Sequence, residues 1–293
     1  MTKLNRIASQ QKQSVSSMPD IVLIGAGRVA THLAAALVRE GLSPVAVCSR
    51  TLVSARRLVA RLGDAVEALD DISRLPRADL YIYAVKDDAL PAMADTVGRR
   101  FPDALHIHTS GSTALDVFPQ VCTRCGVMYP MQTFSADRPV DMRRVPLFIE
   151  GRNAQSIERV TNLAHRLSDH VQPLDSTRRR ALHLAAVFAC NFVNHCYALA
   201  AQVVEQQAGV TWQTLLPLVD ETAAKVHQLH PIQAQTGPAV RMDRRIIGIH
   251  EAMLAAEPDV ADIYHMMSRS IHRMAQRDDP ESPVCQEKEA PKP

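Results

Sequence analysis

Short apolar runs alternate along the first half of the chain with stretches of helical period. The runs are Ile21–Ile24, Val45–Cys48, Leu80–Val85, Leu105–Thr109, Gly126–Tyr129 and Leu147–Ile149. Nearly every position in them is apolar, as strands covered on both faces require. Between them, apolar residues recur every three or four positions, notably over Val29–Glu40 and Leu52–Arg61. Strand–helix alternation with short links predicts a parallel, doubly wound sheet. After residue 150 the texture changes. Ala154–Leu167 predicts a helix and Val171–Asp175 one last strand, and from Ser176 onward helical period dominates. Asp175 or Ser176 is placed to cap a long helix running to about Gln207, and Gly209 to end it. Thr211 is placed to cap the next helix, while Pro238 and Pro258 occupy first-turn positions.

The pattern therefore predicts an α/β chain: a Rossmann-type doubly wound sheet over 19–175, then an all-helical domain over 176–276. Residues 1–18, polar and without acids over 1–17, and the Pro- and charge-rich residues 277–293 are expected to be disordered tails. A length of 293 residues with 46% hydrophobic content allows a sizeable core. The net charge of +2 gives no reason to expect a nucleic-acid or membrane partner. The densest apolar stretch, 181–201, is broken by His183, Asn191, Asn194 and His195, which suits a buried core helix better than a membrane span. The six cysteines are scattered. Cys122 and Cys125 form the only close pair, with no second half of a zinc site, so reduced thiols in a cytoplasmic protein are expected.

Candidate chemistry begins at Gly25-Ala26-Gly27-Arg28-Val29-Ala30. Gly25 permits a sharp exit from a strand, Gly27 lets backbone approach a pyrophosphate, and Ala30 keeps a helix close to the sheet. The free N–H groups of that helix start suit phosphate. A GxGxxA pattern alone is a weak signal and also fits a structural turn, but its place between strand and helix favours a dinucleotide cradle. The next strand ends Cys48-Ser49-Arg50-Thr51. No Asp or Glu between 41 and 63 offers a carboxylate to the ribose hydroxyls, whereas Arg50 offers a fork suited to phosphate, with Ser49 and Thr51 beside it. NADP(H) is expected over NAD; an ordinary exposed arginine is the plainer reading. Val85, Lys86 and Asp87, at the end of another strand, should border the cofactor, with Asp88 read as a helix cap. Thr109 and Ser110 should lie near the nicotinamide. His106 and His108 share one strand face, and at least one should simply be packed.

In the helical half, His183, Asn191 and Asn194 make a narrow polar stripe. At about 100° per residue, Asn191 lies about 80° and Asn194 about 20° from His183. Buried polar groups need partners, either substrate atoms or neighbouring carbonyls. His195 points elsewhere and reads as structural, and His227 and His230 are too isolated to propose as metal ligands. Thr236, Arg241, Asp243 and His250 gather at a predicted helix start and fit an anionic substrate or a dimer contact equally. Arg178, Arg179 and Arg180 read as a solvated face, with a carboxylate docking point as the sharper alternative.

The segments HTSGST, GVMYPMQTFS, LHLAAVFACNFVNH, ETAAKV and TGPAVRMD resemble the Rossmann-like proteins whose C-terminal half is domain of unknown function 2520, over roughly residues 19–273. More distantly the chain resembles pyrroline-5-carboxylate reductase, 6-phosphogluconate dehydrogenase and ketopantoate reductase, and Ala84-Val85-Lys86 is similar to the AVKP segment of the first. The resemblance implies a reductase and a homodimer formed through the helical domain, but no substrate. The related β-hydroxyacid dehydrogenases place a Lys and an Asn one turn apart on the first long helix. Here that helix has no Lys; His183 stands near its start and Asn191 two turns on.

These readings lead to an NADP-dependent oxidoreductase that passes a hydride to a small carbonyl or imine substrate held between the two domains. His183 is the candidate proton donor, since imidazole titrates near neutrality, and Asn191 and Ser110 are candidates to polarise the reacting atom. A non-catalytic NADP-binding sensor or assembly protein is the alternative. Hydride delivery to a deazaflavin is a weaker one.

Overall fold

A computed structural model describes residues 19–135 and 138–278. The expected N-terminal tail lies outside the described residues, as does the expected C-terminal tail except for residues 277 and 278, which close the last helix. The chain divides into two compact units, one up to Phe192 and one from Val193.

The first unit is an eight-stranded sheet of β1 (Ile21–Ile24), β2 (Ala46–Cys48), β3 (Glu67–Leu69), β4 (Leu80–Tyr83), β5 (Leu105–His108), β6 (Cys125–Pro130), β7 (Leu147–Gly151) and β8 (Val171–Pro173). Their order is β3-β2-β1-β4-β5-β6-β7-β8. The helices α1 (Arg28–Arg39), α2 (Leu52–Val59), α3 (Leu90–Arg100) and α4 (Ala154–Leu167) follow β1, β2, β4 and β7. The apolar runs of β1 and β4 are buried at every position. Alternate residues feed opposite faces: Ile21, Leu23 and Ile82 pack in one cluster with Leu33 and Leu37 of α1, while Val22, Ile24 and Tyr83 pack in the other with Leu90 and Val97 of α3. The strand order reverses between β1 and β4, and ligands of open α/β sheets bind outside the C-terminal strand ends at such a point.

The sheet departs from expectation in two places. Strand β3 was not among the expected strands: it has three residues, includes an exposed Glu67, and sits at the sheet edge, so it lacks the all-apolar signature. Strand β7 runs antiparallel to β6, with Met128 opposite Ile149, so the sheet is not wholly parallel. Among the described residues of the link, 131–135 and 138–146, the helical structure is a short 3₁₀ turn, Met142–Arg144, rather than a crossover helix that would return the chain in parallel.

Both strand histidines are packed. His106 Nε2–H donates to the Phe101 carbonyl at 2.9 Å, so its Nδ1 accepts from the Tyr83 hydroxyl at 2.8 Å. His108 Nδ1 accepts from the Ser110 N–H at 3.2 Å. Burial, and next the guanidinium of Arg179, pushes the His108 pKa down to about 3; burial also lowers that of His106.

The long helix begins as α5 (Ser176–Ala186), with Asp175 as its cap: its carboxylate accepts from the Arg178 N–H at 2.8 Å. A π-helical segment, Val187–Phe192, ends the first unit. The expectation of a buried helix is overturned: Leu184, Phe188 and Phe192 are 59%, 61% and 49% exposed. By length and composition alone, Ser176–Ala208 is long and apolar enough to cross a membrane. Its first turns nevertheless pack on the sheet through Arg179 and His183.

The second unit contains α6 (Val193–Val203), a π segment Val204–Ala208, α7 (Leu216–Lys225), α8 (Pro231–Ala234), α9 (Arg244–Met253) and α10 (Pro258–Asp278). Gly209, in the left-handed region at φ 65°, ends the long helical run. Thr211 stands before a 3₁₀ turn, Trp212–Leu215, without a side-chain cap bond. Pro258 opens α10 as expected, but Pro238 lies in a turn: α9 starts at Arg244, where the Asp243 carboxylate accepts from the Ile246 N–H at 3.1 Å.

The buried imidazole of His108 makes stability depend on pH. Above about 6.5, its ordinary value, both folded and unfolded chains hold it neutral and its full contribution is present. As pH falls from there towards 3 the unfolded chain takes the proton first and stability is lost. Thermal melts across this window are expected to fall with acid in the wild type and to fall less in His108→Asn. Parallel curves would mean that His108 does not carry the effect.

Candidate functional site

The turn after β1 is built for close approach. Gly25 has φ +116°, and a Cβ there would sit 2.1 Å from the Ala84 carbonyl oxygen of the chain leaving β4. Only glycine combines that conformation with that contact. Gly27, the residue before α1, has open space where a Cβ would point and no side-chain cap bond. Ala30 is fully buried where α1 meets the sheet. The first N–H groups of α1 thus face a clear approach, which suits an anion.

Beside this turn is a cavity of about 200 Å³ lined by Gly27, Arg28, Thr31, Ser54, Arg57 and Arg61. The three arginines form no ion pair with a carboxylate among the described residues. Arg57 and Arg61 lie four apart on and just past α2, hence on one helix face. They were not among the expected site residues, although their spacing after the second strand was a signal that could have found them. Arg50 is exposed and does not line this cavity. Thr51 caps α2: its hydroxyl oxygen accepts from the Ser54 N–H at 3.3 Å. Ser49 pairs through its backbone N–H with the Leu69 carbonyl at 2.9 Å. A larger cavity, about 490 Å³ and almost wholly apolar, belongs to the second unit; His250 and Tyr264 in its wall are hydrogen-bonded at 2.8 Å.

The other expected cofactor residues lie at the ends of β4 and β5. The Val85 side chain lies close to Gly25, and Lys86 and Asp87 are exposed. Asp88 is not a cap; Ala89 precedes α3 without a side-chain bond. Asp87 accepts a short hydrogen bond from the Ser112 hydroxyl. Thr109 is buried, its hydroxyl donating to the Tyr83 carbonyl at 3.2 Å. The Ser110 oxygen accepts from the N–H groups of Ser112, at 3.2 Å, and Thr113, at 2.9 Å. Ser110 therefore shapes the loop, and much of its accepting capacity is already taken.

Over this loop stands His183. Its Nδ1 is 3.1 Å from the Tyr129 hydroxyl, and the two rings meet edge to face at 5.9 Å. A Cβ on Gly111 would lie 2.7 Å from His183 Nδ1 and 2.9 Å from Tyr129 Cε2. Asn191 does not join them: it is exposed, as is Asn194. The even 100° spacing that aligned them with His183 fails across the intervening π segment.

The domain of unknown function DUF2520 matches residues 145–271, and the shikimate/quinate 5-dehydrogenase model matches residues 6–97. A Bacteroides fragilis protein described as an NADP oxidoreductase is 44% identical, with a TM-score of 0.82, over 87% of this chain and 98% of its own. The chain belongs to the DUF2520 family. More remote likenesses show the fold. An imine reductase from Myxococcus stipitatus, solved with NADP+, is 17% identical with a TM-score of 0.65 over 92% and 99% of the two chains. A reductive aminase from Aspergillus terreus, solved with NADPH and ethyl-5-oxohexanoate, is 16% identical with a TM-score of 0.63 over 92% and 98%. No curated protein matches the chain.

The helix turn that carries His183 in this DUF2520 protein is anchored by Arg179, one turn earlier on the same face of α5. The solvated arginine face expected at 178–180 applies to Arg178 and Arg180 only: Arg179 has no exposed surface. Its guanidinium makes a short ion pair with Glu150 of β7 and donates to the Thr113 carbonyl at 2.5 Å. Ser176 donates to the same Glu150 at 2.8 Å and accepts from the Leu115 N–H at 3.0 Å. The group fastens α5 to β7 and to the loop after β5. Arg179→Ala strands a partly buried carboxylate and is expected to cost about 3–5 kcal/mol in denaturant unfolding. Arg179→Met with Glu150→Leu is expected to recover much of that loss.

Proposed function

We propose that this protein is an NADP(H)-dependent oxidoreductase reducing a small carbonyl or imine compound. One observation carries the reading: Arg28, Arg57 and Arg61, without carboxylate partners among the described residues, line a cavity beside the glycine turn that opens α1. Gly25, Gly27 and the start of α1 would hold the pyrophosphate. Arg28, Arg57 and Arg61 would hold the additional phosphate that distinguishes NADP from NAD, with Arg50 nearby in sequence. Val85, Thr109 and Ser110, at adjacent strand ends, would border the nicotinamide. The bound cofactor supplies a hydride. The reduced oxygen or nitrogen then needs a proton, and His183 is the titratable side chain over the Ser110–Gly111 loop able to give one. The 44%-identical Bacteroides fragilis protein and the two NADP-bound neighbours support the same reading.

NADPH is expected to raise thermal stability more than NADH does. Replacing both Arg57 and Arg61 with Ala should weaken NADPH binding about tenfold or more, a loss of about 1.4 kcal/mol or more, and leave NADH nearly unchanged. In an NADPH-oxidation screen of 2-keto acids, aldehydes and cyclic imines, His183→Ala should lose about 10²–10⁴ of the turnover while still binding NADPH. Tight binding with no turnover by the wild type would instead favour a nucleotide sensor.

The second unit supports a homodimer as the working form. Among the described residues from Val193 onward the buried apolar side chains are Ala239, Ile247 and Leu254, whereas Leu218, Met253, Met266 and Met267 are 64%, 54%, 62% and 48% exposed. Helices this uncovered need a further surface to pack against. Sedimentation at micromolar concentration is expected to give twice the chain mass; a monomer there would remove the dimer from the reading.

A further inference from the structure

We propose that Tyr129 is a positioning residue for His183: it grips the imidazole by Nδ1 and so assigns Nε2 as the nitrogen that meets the substrate. The inference rests on the reading of His183 as the group that supplies the proton. Its own evidence is the geometry around the two rings. Tyr129 is at the end of β6, 8% exposed, and its hydroxyl makes a hydrogen bond with His183 Nδ1 at 3.1 Å. A buried phenol O–H requires an acceptor. Burial holds this phenol in its protonated form. Among the described residues, His183 Nδ1 is the partner it finds. In the neutral ring, then, the phenol donates, Nδ1 accepts, and the imidazole hydrogen sits on Nε2.

Two contacts crowd the ring, and an ion pair one turn earlier fixes the helix that carries it. The edge of Tyr129 meets it at 80°. Gly111 leaves so little room that a single added carbon would collide with both rings. Arg179, four residues earlier, pins the same helix turn to Glu150. When His183 takes a proton, Nε2–H is the hydrogen it can give away, while Nδ1–H stays against the Tyr129 oxygen. The proton leaves Nε2 for the reduced oxygen or nitrogen, the N–H bond pair returns to the ring, and solvent restores the proton.

Tyr129→Phe keeps the ring and removes only the hydroxyl. In ¹⁵N-labelled protein, with His183 identified by its loss in His183→Asn, the spectrum is read well above the ordinary imidazole range. Wild-type Nδ1 is expected to appear as a bare nitrogen displaced by an accepted hydrogen bond, and Tyr129→Phe to move that resonance towards the free-imidazole position. In the NADPH-oxidation assay the same variant should lose about 10- to 100-fold in kcat with NADPH affinity unchanged. An unmoved Nδ1 resonance, or a wild-type spectrum with the hydrogen on Nδ1, overturns the proposal. A moved resonance with undiminished kcat also overturns it, because the contact would then be structural. Should the wild type oxidise NADPH with no carbonyl or imine while the resonance still moves, the contact stands and the oxidoreductase reading is what fails.

Discussion

A guanidinium with no exposed surface sits between a helix, a strand and a loop, and the geometry of the candidate site follows from how it is satisfied. Arg179 is paired with Glu150 and bonded to the Thr113 carbonyl and the Ser176 hydroxyl. A buried charge left unpaired is costly, so the arrangement is close to all-or-none. With the pair in place, the first turns of α5 cannot slide along the sheet, and the side chain one turn on, His183, is delivered to Gly111 and Tyr129. The same charge disfavours protonation of His108, which burial already keeps neutral.

At the other end of the site the constraint is steric. Gly25 lies against the Ala84 carbonyl, and the buried Ala30 is small enough to let α1 lie close to the sheet. Where the backbone has been cleared in this way, Arg28, Arg57 and Arg61 supply charge. Electrostatic attraction to phosphate is strongest from a concave wall with no competing carboxylate, which is the arrangement around the 200 Å³ cavity among the described residues.

Local pattern made much of this legible. The runs at Ile21–Ile24 and Leu80–Val85 are apolar throughout because both sheet faces are covered, and the strands are found there. Ala154–Leu167 is a helix over the residues its period predicts. The glycine turn was readable because its residues are adjacent in the chain. Other features were hidden for physical reasons. Tyr129 and His183 are 54 residues apart, and Arg179 and Glu150 are 29 apart. Neither pairing leaves a mark in local spacing. Arg179 looks like its neighbours Arg178 and Arg180, and only packing makes one of three arginines the buried one. Asn191 was placed with His183 by assuming a uniform α-helix, and the π segment breaks that assumption.

The sequence by itself determined the alternation of strands and helices, the turn at Gly25–Gly27 and a helix cap at Asp175 or Ser176, because each depends on backbone conformation and burial within a few residues. Tertiary structure decided the reversal of β7, the exposure of Leu184 and Phe188, the burial of Arg179, and the meeting of Tyr129 with His183. Those depend on which distant surfaces come together, and the energy of such contacts is set by desolvation and geometry that a linear pattern does not contain.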